Sequence, residues 1–177
     1  KFTILHPGYA KSLNKHEGIK KTIRALKTVI HATKNSKVKI LLENTAGQGS
    51  SIGYKFEHLR QIMDGVESAR IGACFDTCHA FAAGYDMRTK SRFEATMEKL
   101  DSIVGLKNIH AIHLNDSKGE LGSKLDRHEH IGKGKLGLAP FKQIMKRFKH
   151  IPKVIETPKE DNMDAVNLRV LRKMVET

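Results

Sequence analysis

IGACFD, residues 71–76, is an apolar run of strand length that ends in a carboxylate, and four other runs share its design: FTILH (2–6), VKILLE (38–43), IHAIH (109–113) and KVIE (153–156). Each has the length of a strand buried on both faces. Between them the apolar spacing turns helical. Ile19, Ile23, Leu26 and Ile30 fall on one face, as do Phe56, Leu59, Ile62, Met63 and Val66, and then Phe93, Met97, Leu100 and Val104. A final helix carries Val166, Val170, Leu171 and Met174. Ser91 followed by Glu94 reads as a capping box before the third helix, and Pro140 suits the first turn of the fourth. The order βαβαβαβαβα implies a parallel sheet with right-handed crossovers, either an open doubly wound sheet or part of a (β/α)8 barrel.

The 177 residues, 39% hydrophobic and 29% charged, are enough for one domain with a real core, expected to span 1–177. No apolar run approaches the roughly 18 residues of a membrane span, and the opening KFTILHPGYA lacks the core of a signal peptide. The chain begins without methionine, so a fragment is expected. Lys and Arg number 32 against 19 acids, a formal charge of +13, which suits a polyanionic partner such as nucleic acid or an acidic membrane surface. Cys74 and Cys78 are too few for a disulfide framework, so reduced thiols and a cytoplasmic setting are expected.

All five runs end in His, Glu or Asp: His6, Glu43, Asp76, His113 and Glu156. In parallel α/β proteins the C-terminal strand ends face the ligand site, so the five should converge. Any one alone reads as ordinary hydrogen-bonded structure. Together, three carboxylates in a partly dry mouth cost several kcal/mol per unpaired ion, and the intermingled imidazoles point to metal. His79, Asp126 and His128, in the loops beyond, complete an N/O set typical of zinc and open to manganese or iron. Eight candidates exceed what one tetrahedral ion uses, which suggests a multinuclear site with a bridging carboxylate. Paired ions are the usual clamp for hydrolysing a phosphodiester. Other residues are read as support: Cys74 as core, Cys78 as a bystander, His130 as a loop histidine, Gly47 and Gly49 as loop formers, and Asn44 and Gln48 as hydrogen-bonding positioners. Asn115, Asp116 and Lys118 read equally as ligand supports or phosphate contacts and as loop structure, whereas Lys133 and Lys135 in HIGKGKLG (130–137) give only a weak signal of phosphate contact, since a solvated loop has the same composition.

LLENTAGQGS (41–50), IGACFDTCHAFAAGYD (71–86) and HLNDSKGELGSKLDRHEHIGKG (113–134) resemble characteristic blocks of the endonuclease IV family of apurinic/apyrimidinic endonucleases, with HPG (6–8) and ETP (156–158) where its other ligands are expected. The resemblance implies a TIM (β/α)8 barrel of the xylose-isomerase-like type. It also implies a zinc enzyme that cuts double-stranded DNA on the 5′ side of an abasic site and clears blocked 3′ ends in DNA repair. Carried over by motif, His6 binds the first of three zinc ions and Glu43 bridges the first and second. Asp76, His113 and Glu156 complete the second, while His79, Asp126 and His128 hold the third, with manganese an alternative occupant. Glu43, Asp76 and Glu156 are then the catalytic carboxylates. The family's barrel has eight strands and a further histidine ligand on an earlier strand; this chain supplies five, and is read as the C-terminal five-eighths of such a monomeric enzyme. The alternatives are a metal-dependent sugar isomerase or epimerase of the same fold, and a non-catalytic nucleic-acid-binding module, which the scarcity of aromatic residues disfavours.

Overall fold

Strand parity decides where Glu43, Asp76 and His113 point. In a computed structural model that describes residues 1–175, the apolar runs form β1 (Phe2–Leu5), β2 (Lys39–Glu43), β3 (Ile71–Asp76) and β4 (Ile109–His113), and the last shrinks to β7 (Lys153–Val154). They make one five-stranded parallel sheet in the order β1-β2-β3-β4-β7. Leu42, Ala73, Phe75 and Ile112 face the helices and join the main core. Leu41, Cys74 and Ala111 form a smaller cluster on the opposite face, with Ile4 against it. Because side chains alternate, Glu43, Asp76 and His113 follow Leu41, Cys74 and Ala111 onto that second face.

The IHAIH run needs a correction to simple alternation, which would put Ile109 on the face of Ala111. Ala73 pairs with Ile109 but Cys74 pairs with Ala111, so β4 carries one extra residue at His110. This bulge lets Ile109 turn to the helix side and still brings His113 level with Asp76. The extra His110 ring stacks on Phe2, centroids 5.8 Å apart.

The helices are α1 (Lys15–Ala32), α2 (Phe56–Val66), α3 (Thr77–Ala82), α4 (Lys90–Ile103), α5 (Ala139–Arg147) and α6 (Met163–Lys173). Their buried faces, with Ile19, Leu26, Phe56, Leu59, Ile62, Phe93, Met97 and Leu100, are those the spacing predicts, and α5 adds Phe141 and Ile144. At roughly 1.5–3 kcal/mol for each fully buried large side chain, this layer is the main source of stability. Asn14 caps α1 by accepting from the Glu17 amide at 2.9 Å. Pro140 opens α5 as expected.

Four expectations fail. The Ser91 capping box does not form: Thr89 is the cap, accepting from the Arg92 amide at 3.3 Å, and Ser91 lies inside the first turn of α4. Edge strand β1 is largely exposed, because among the described residues only β2 lies beside it, and β7 is also poorly covered. Val166 on α6 is exposed and leaves Leu171 to the core. The segment after β4 is more than loop: β5 (Asp116–Ser117) and β6 (His128–Glu129) pair antiparallel and close residues 118–127 into a hairpin. No helix among the described residues is long and apolar enough to cross a membrane.

Candidate metal centre

The strand ends meet as the parity requires. The Leu5↔Leu42 register places His6, one residue on, beside Glu43, and His6 Nε2 is 3.3 Å from Glu43 Oε2. His113 Nδ1 lies 2.9 Å from Glu43 Oε1, 2.9 Å from Glu156 Oε2 and 3.8 Å from Asp76 Oδ2. Asp76 ends β3 and also caps α3, its Oδ1 accepting from the His79 amide at 2.7 Å. That single bond sets the first turn of α3 and so the direction of the His79 ring.

His79 faces two ways. Its Nδ1 is 3.0 Å from the Asn44 carbonyl and 3.2 Å from Glu43, while its Nε2 is 3.1 Å from Asp126 Oδ1 and 3.4 Å from His128 Nε2. His128 is held from behind by the Glu156 carbonyl, 3.0 Å from its Nδ1, which leaves Nε2 turned to His79 and Asp126. An imidazole anchored through one nitrogen and open at the other is the usual arrangement of a metal-ligating histidine.

The eight expected side chains thus gather in three interlocking groups. These are His6, Glu43 and His79; Glu43, Asp76, His113 and Glu156; and His79, Asp126 and His128, with donor atoms inside each group within 4.8 Å of one another. Glu43 and His79 belong to two groups each. The sulfurs of Cys74 and Cys78 come as near, Cys74 to Glu43 and His113 and Cys78 to Asp76 and His128, although the sequence marked them as core and bystander.

Electrostatics shows what the cluster lacks. Burial should raise the Glu43 carboxyl, yet hydrogen bonds from His113, His6 and His79 hold it far below the usual carboxylate range. Burial does lift Asp76. Burial disfavours a charged His79, but the Asp76 charge and the Asp126 and Glu43 hydrogen bonds outweigh it and push the ring up to about 11. Buried protons here take the place that cations would fill, and the convergent N/O donors fit divalent metal.

Comparison with known proteins follows the same line. Residues 1–174 match the family described as a xylose isomerase-like TIM barrel. The chain belongs to that family. Probable endonuclease 4 of Citrifermentans bemidjiense is 47% identical over 98% of this chain and 63% of its own length, and that of Aquifex aeolicus is 46% identical over 98% and 62%. The crystal structure of endonuclease IV from Thermus thermophilus superposes with a TM-score of 0.82 at 34% identity, covering 99% of this chain and 61% of that one. The chain therefore spans about three-fifths of the relatives it matches. A D-tagatose 3-epimerase-like protein has a TM-score of 0.78 at 23% identity, a likeness of fold.

As an arc of a xylose isomerase-like barrel, the sheet carries its donors where the barrel mouth lies, and polar neighbours fix them. Asn44 clamps β2 to β3: its Nδ2 donates to the Asp76 carbonyl at 3.0 Å, and its Oδ1 accepts from the Asp76 amide at 2.8 Å. Asn115 donates to Asp76 Oδ2 at 2.7 Å and accepts from the Glu156 amide at 2.7 Å. Gln48 accepts from the Asp126 amide at 3.0 Å. Gly47 and Gly49 have φ of 88° and 59°, the loop role expected of them.

Three contributors escaped the sequence reading. Thr77 Oγ1 donates to the Asn115 carbonyl at 2.7 Å and accepts from the Asn115 amide at 2.9 Å. Asn167, buried on α6, donates to His130 Nδ1 at 3.1 Å and Thr157 Oγ1 at 2.9 Å, so His130 is tied to a helix rather than loose in a loop. Tyr9, 62% exposed, lines a cavity of about 310 Å³ together with His6, Gln48, Ser51, Asp126 and Arg127. Only Tyr9 gave a signal in sequence, as a large aromatic following HPG.

Proposed function

We propose that the chain carries the metal-holding part of a DNA-repair endonuclease, hydrolysing the phosphodiester 5′ to an abasic site and removing 3′ blocking groups. The observation that carries this reading is the set of three interlocking donor groups sharing Glu43 and His79. It is supported by the relatives named endonuclease 4 and by the charge of +13, which suits a polyanionic substrate.

In this reading His6 and Glu43 would hold a first zinc ion, Glu43 with Asp76, His113 and Glu156 a second, and His79, Asp126 and His128 a third. When bound, such ions supply a hydroxide at neutral pH and neutralise phosphate oxygens. The chain's own work is placement. Asn44 fixes the Asp76 backbone, Asn115 holds the Asp76 carboxylate and the Glu156 amide, and the cavity beside His6 and Asp126 gives the scissile phosphate a polar seat. The chain corresponds to the last five βα units of such a barrel. A sugar isomerase of the same fold has less support, because it explains neither the charge nor the donor group His79, Asp126 and His128.

The test is metal content by mass spectrometry on chain purified without chelator, together with cleavage of a duplex bearing one abasic site. Two or three zinc per chain and a cut on the 5′ side are expected. Turnover of a ketose with abasic DNA left intact would overturn the reading.

A further inference from the structure

Away from the strand ends, two ammonium groups converge on one aromatic ring. Lys15 opens α1 and Lys124 lies in the hairpin segment 118–127, yet their Nζ atoms stand 5.6 and 5.8 Å from the centre of the Tyr54 ring. Each is held in place. Lys15 Nζ donates to the Ser51 carbonyl at 3.0 Å. Lys124 has a left-handed φ of 56° and its amide donates to the Ala82 carbonyl at 2.9 Å. The Tyr54 ring packs edge-on against His58, centroids 5.0 Å apart, and His58 Nδ1 accepts from the Gly53 amide.

What the pair lacks is a counter-ion. Lys20, Lys27, Lys135 and Lys159 each have a carboxylate within ion-pair distance, whereas among the described residues Lys15 and Lys124 have none. A shared tyrosine face attracts each cation by only about 0.5–1 kcal/mol at an exposed site. Burial, and then the charge of Lys124, hold the Lys15 ammonium below its usual range. Two cations that converge on one ring without a carboxylate partner, the first of them anchored through its ammonium, are complete once an anion joins them. Ser51, which anchors Lys15, also lines the cavity that reaches His6 and Asp126, so Lys15 is joined through one residue to the candidate metal centre.

We propose that Lys15 and Lys124, set around Tyr54, bind one backbone phosphate of a nucleic-acid strand whose neighbouring phosphate lies at the strand-end cluster. The proposal rests on the nucleic-acid substrate of the preceding reading and adds to it a contact that holds register without reading sequence. It predicts equal use of this site by damaged and undamaged duplexes.

The test uses the full chain with 13C-labelled lysine, titrated by NMR with an undamaged duplex and with the same duplex carrying one abasic site. The Lys15 and Lys124 side-chain signals should shift with both. The double variant Lys15→Ala/Lys124→Ala should weaken both duplexes alike and lower the slope of log affinity against log salt by about 1, the value for one lost phosphate contact. Lys15→Arg/Lys124→Arg should restore the slope, and Lys20→Ala/Lys27→Ala should leave it unchanged. If the double variant fails to fold, the signals of the parent chain decide. Silent lysines and an unchanged slope overturn the proposal even if abasic DNA is cut. Shifting lysines with no cutting support the phosphate site and remove the endonuclease reading, and absence of binding to either duplex overturns both.

Discussion

Replacing Asp116 with Asn should unfasten the hairpin that delivers two of the donors. Asp116 is buried, and four backbone amides converge on its carboxylate: Ser117 and Leu136 on Oδ1 at 2.8 and 3.0 Å, Gly132 and Gly134 on Oδ2 at 2.9 and 3.0 Å. An asparagine offers one acceptor oxygen, so whichever way it turns, its NH2 group confronts two N–H donors. Losing two bonds to a charged acceptor costs about 3–6 kcal/mol, at roughly 1.5–3 each. Burial already pushes this carboxyl up, so a neutral amide recovers part of the loss, and we expect a net destabilisation of about 2–4 kcal/mol. Urea unfolding followed by circular dichroism measures it, and hydrogen exchange at the Gly132, Gly134 and Leu136 amides localises it. Because Asp116 pairs with Glu129 and Ser117 with His128, loosening should reach His128 and Asp126. Metal held by that group should bind about 10–100-fold more weakly, the usual penalty for losing a support of a ligand. A midpoint within about 0.5 kcal/mol of the parent, with those amides still protected, would refute the account.

Under the proposed endonuclease function, Glu43→Gln, which keeps the shape and removes the charge shared by two donor groups, should abolish nearly all cleavage of abasic DNA while sparing most of the affinity; parent-like cleavage would sink the assigned role. Asp86 makes two 2.9 Å bonds to Arg88, and this partner, against the opposing effect of burial, holds its carboxyl below the ordinary range. Its contribution is therefore full above the unfolded pKa of about 3.9 and is lost as pH falls through the lower folded value. With Arg88 and Arg92 half exposed this amounts to under about 1 kcal/mol, so Asp86→Asn should slightly flatten the fall of Tm below about pH 4 and leave its acid limb otherwise intact. Cys74 and Cys78 are buried, so a thiol reagent should label neither in the native chain and both in urea; rapid native labelling would contradict the packing.

Unbroken apolar runs made Glu43, Asp76 and His113 legible, since a strand buried on both faces that ends in a polar residue has few reasons to do so. The loop donors Asp126 and His128 were reachable only through the DRH motif, because no local periodicity marks a hairpin of two-residue strands. The bulge at His110 could not be read, as it depends on pairing with β3 rather than on any residue in β4. Thr89 won the cap over Ser91 because both precede a helical pattern with the right side-chain chemistry, and tertiary context chose the start. Thr77 and Asn167 were invisible for a related reason: each acts on a residue 38 or 37 positions away, and a lone Thr or Asn in a helical stretch looks like any surface polar residue.

Among the described residues β1 and β7 border the sheet with no strand on their outer sides, and apolar side chains sit on both, Phe2 at 45% and Val154 at 48% exposed. Such borders are templates for another strand, including that of a second copy. The +13 charge keeps copies apart at long range, with a reach that shrinks from about 30 Å at 0.01 M to about 8 Å at 0.15 M ionic strength. Colloidal behaviour is thus set by a contest between sticky borders and a repulsive envelope. Dilute buffer should therefore keep this chain dispersed, and salt, by thinning the envelope, should invite the borders to meet.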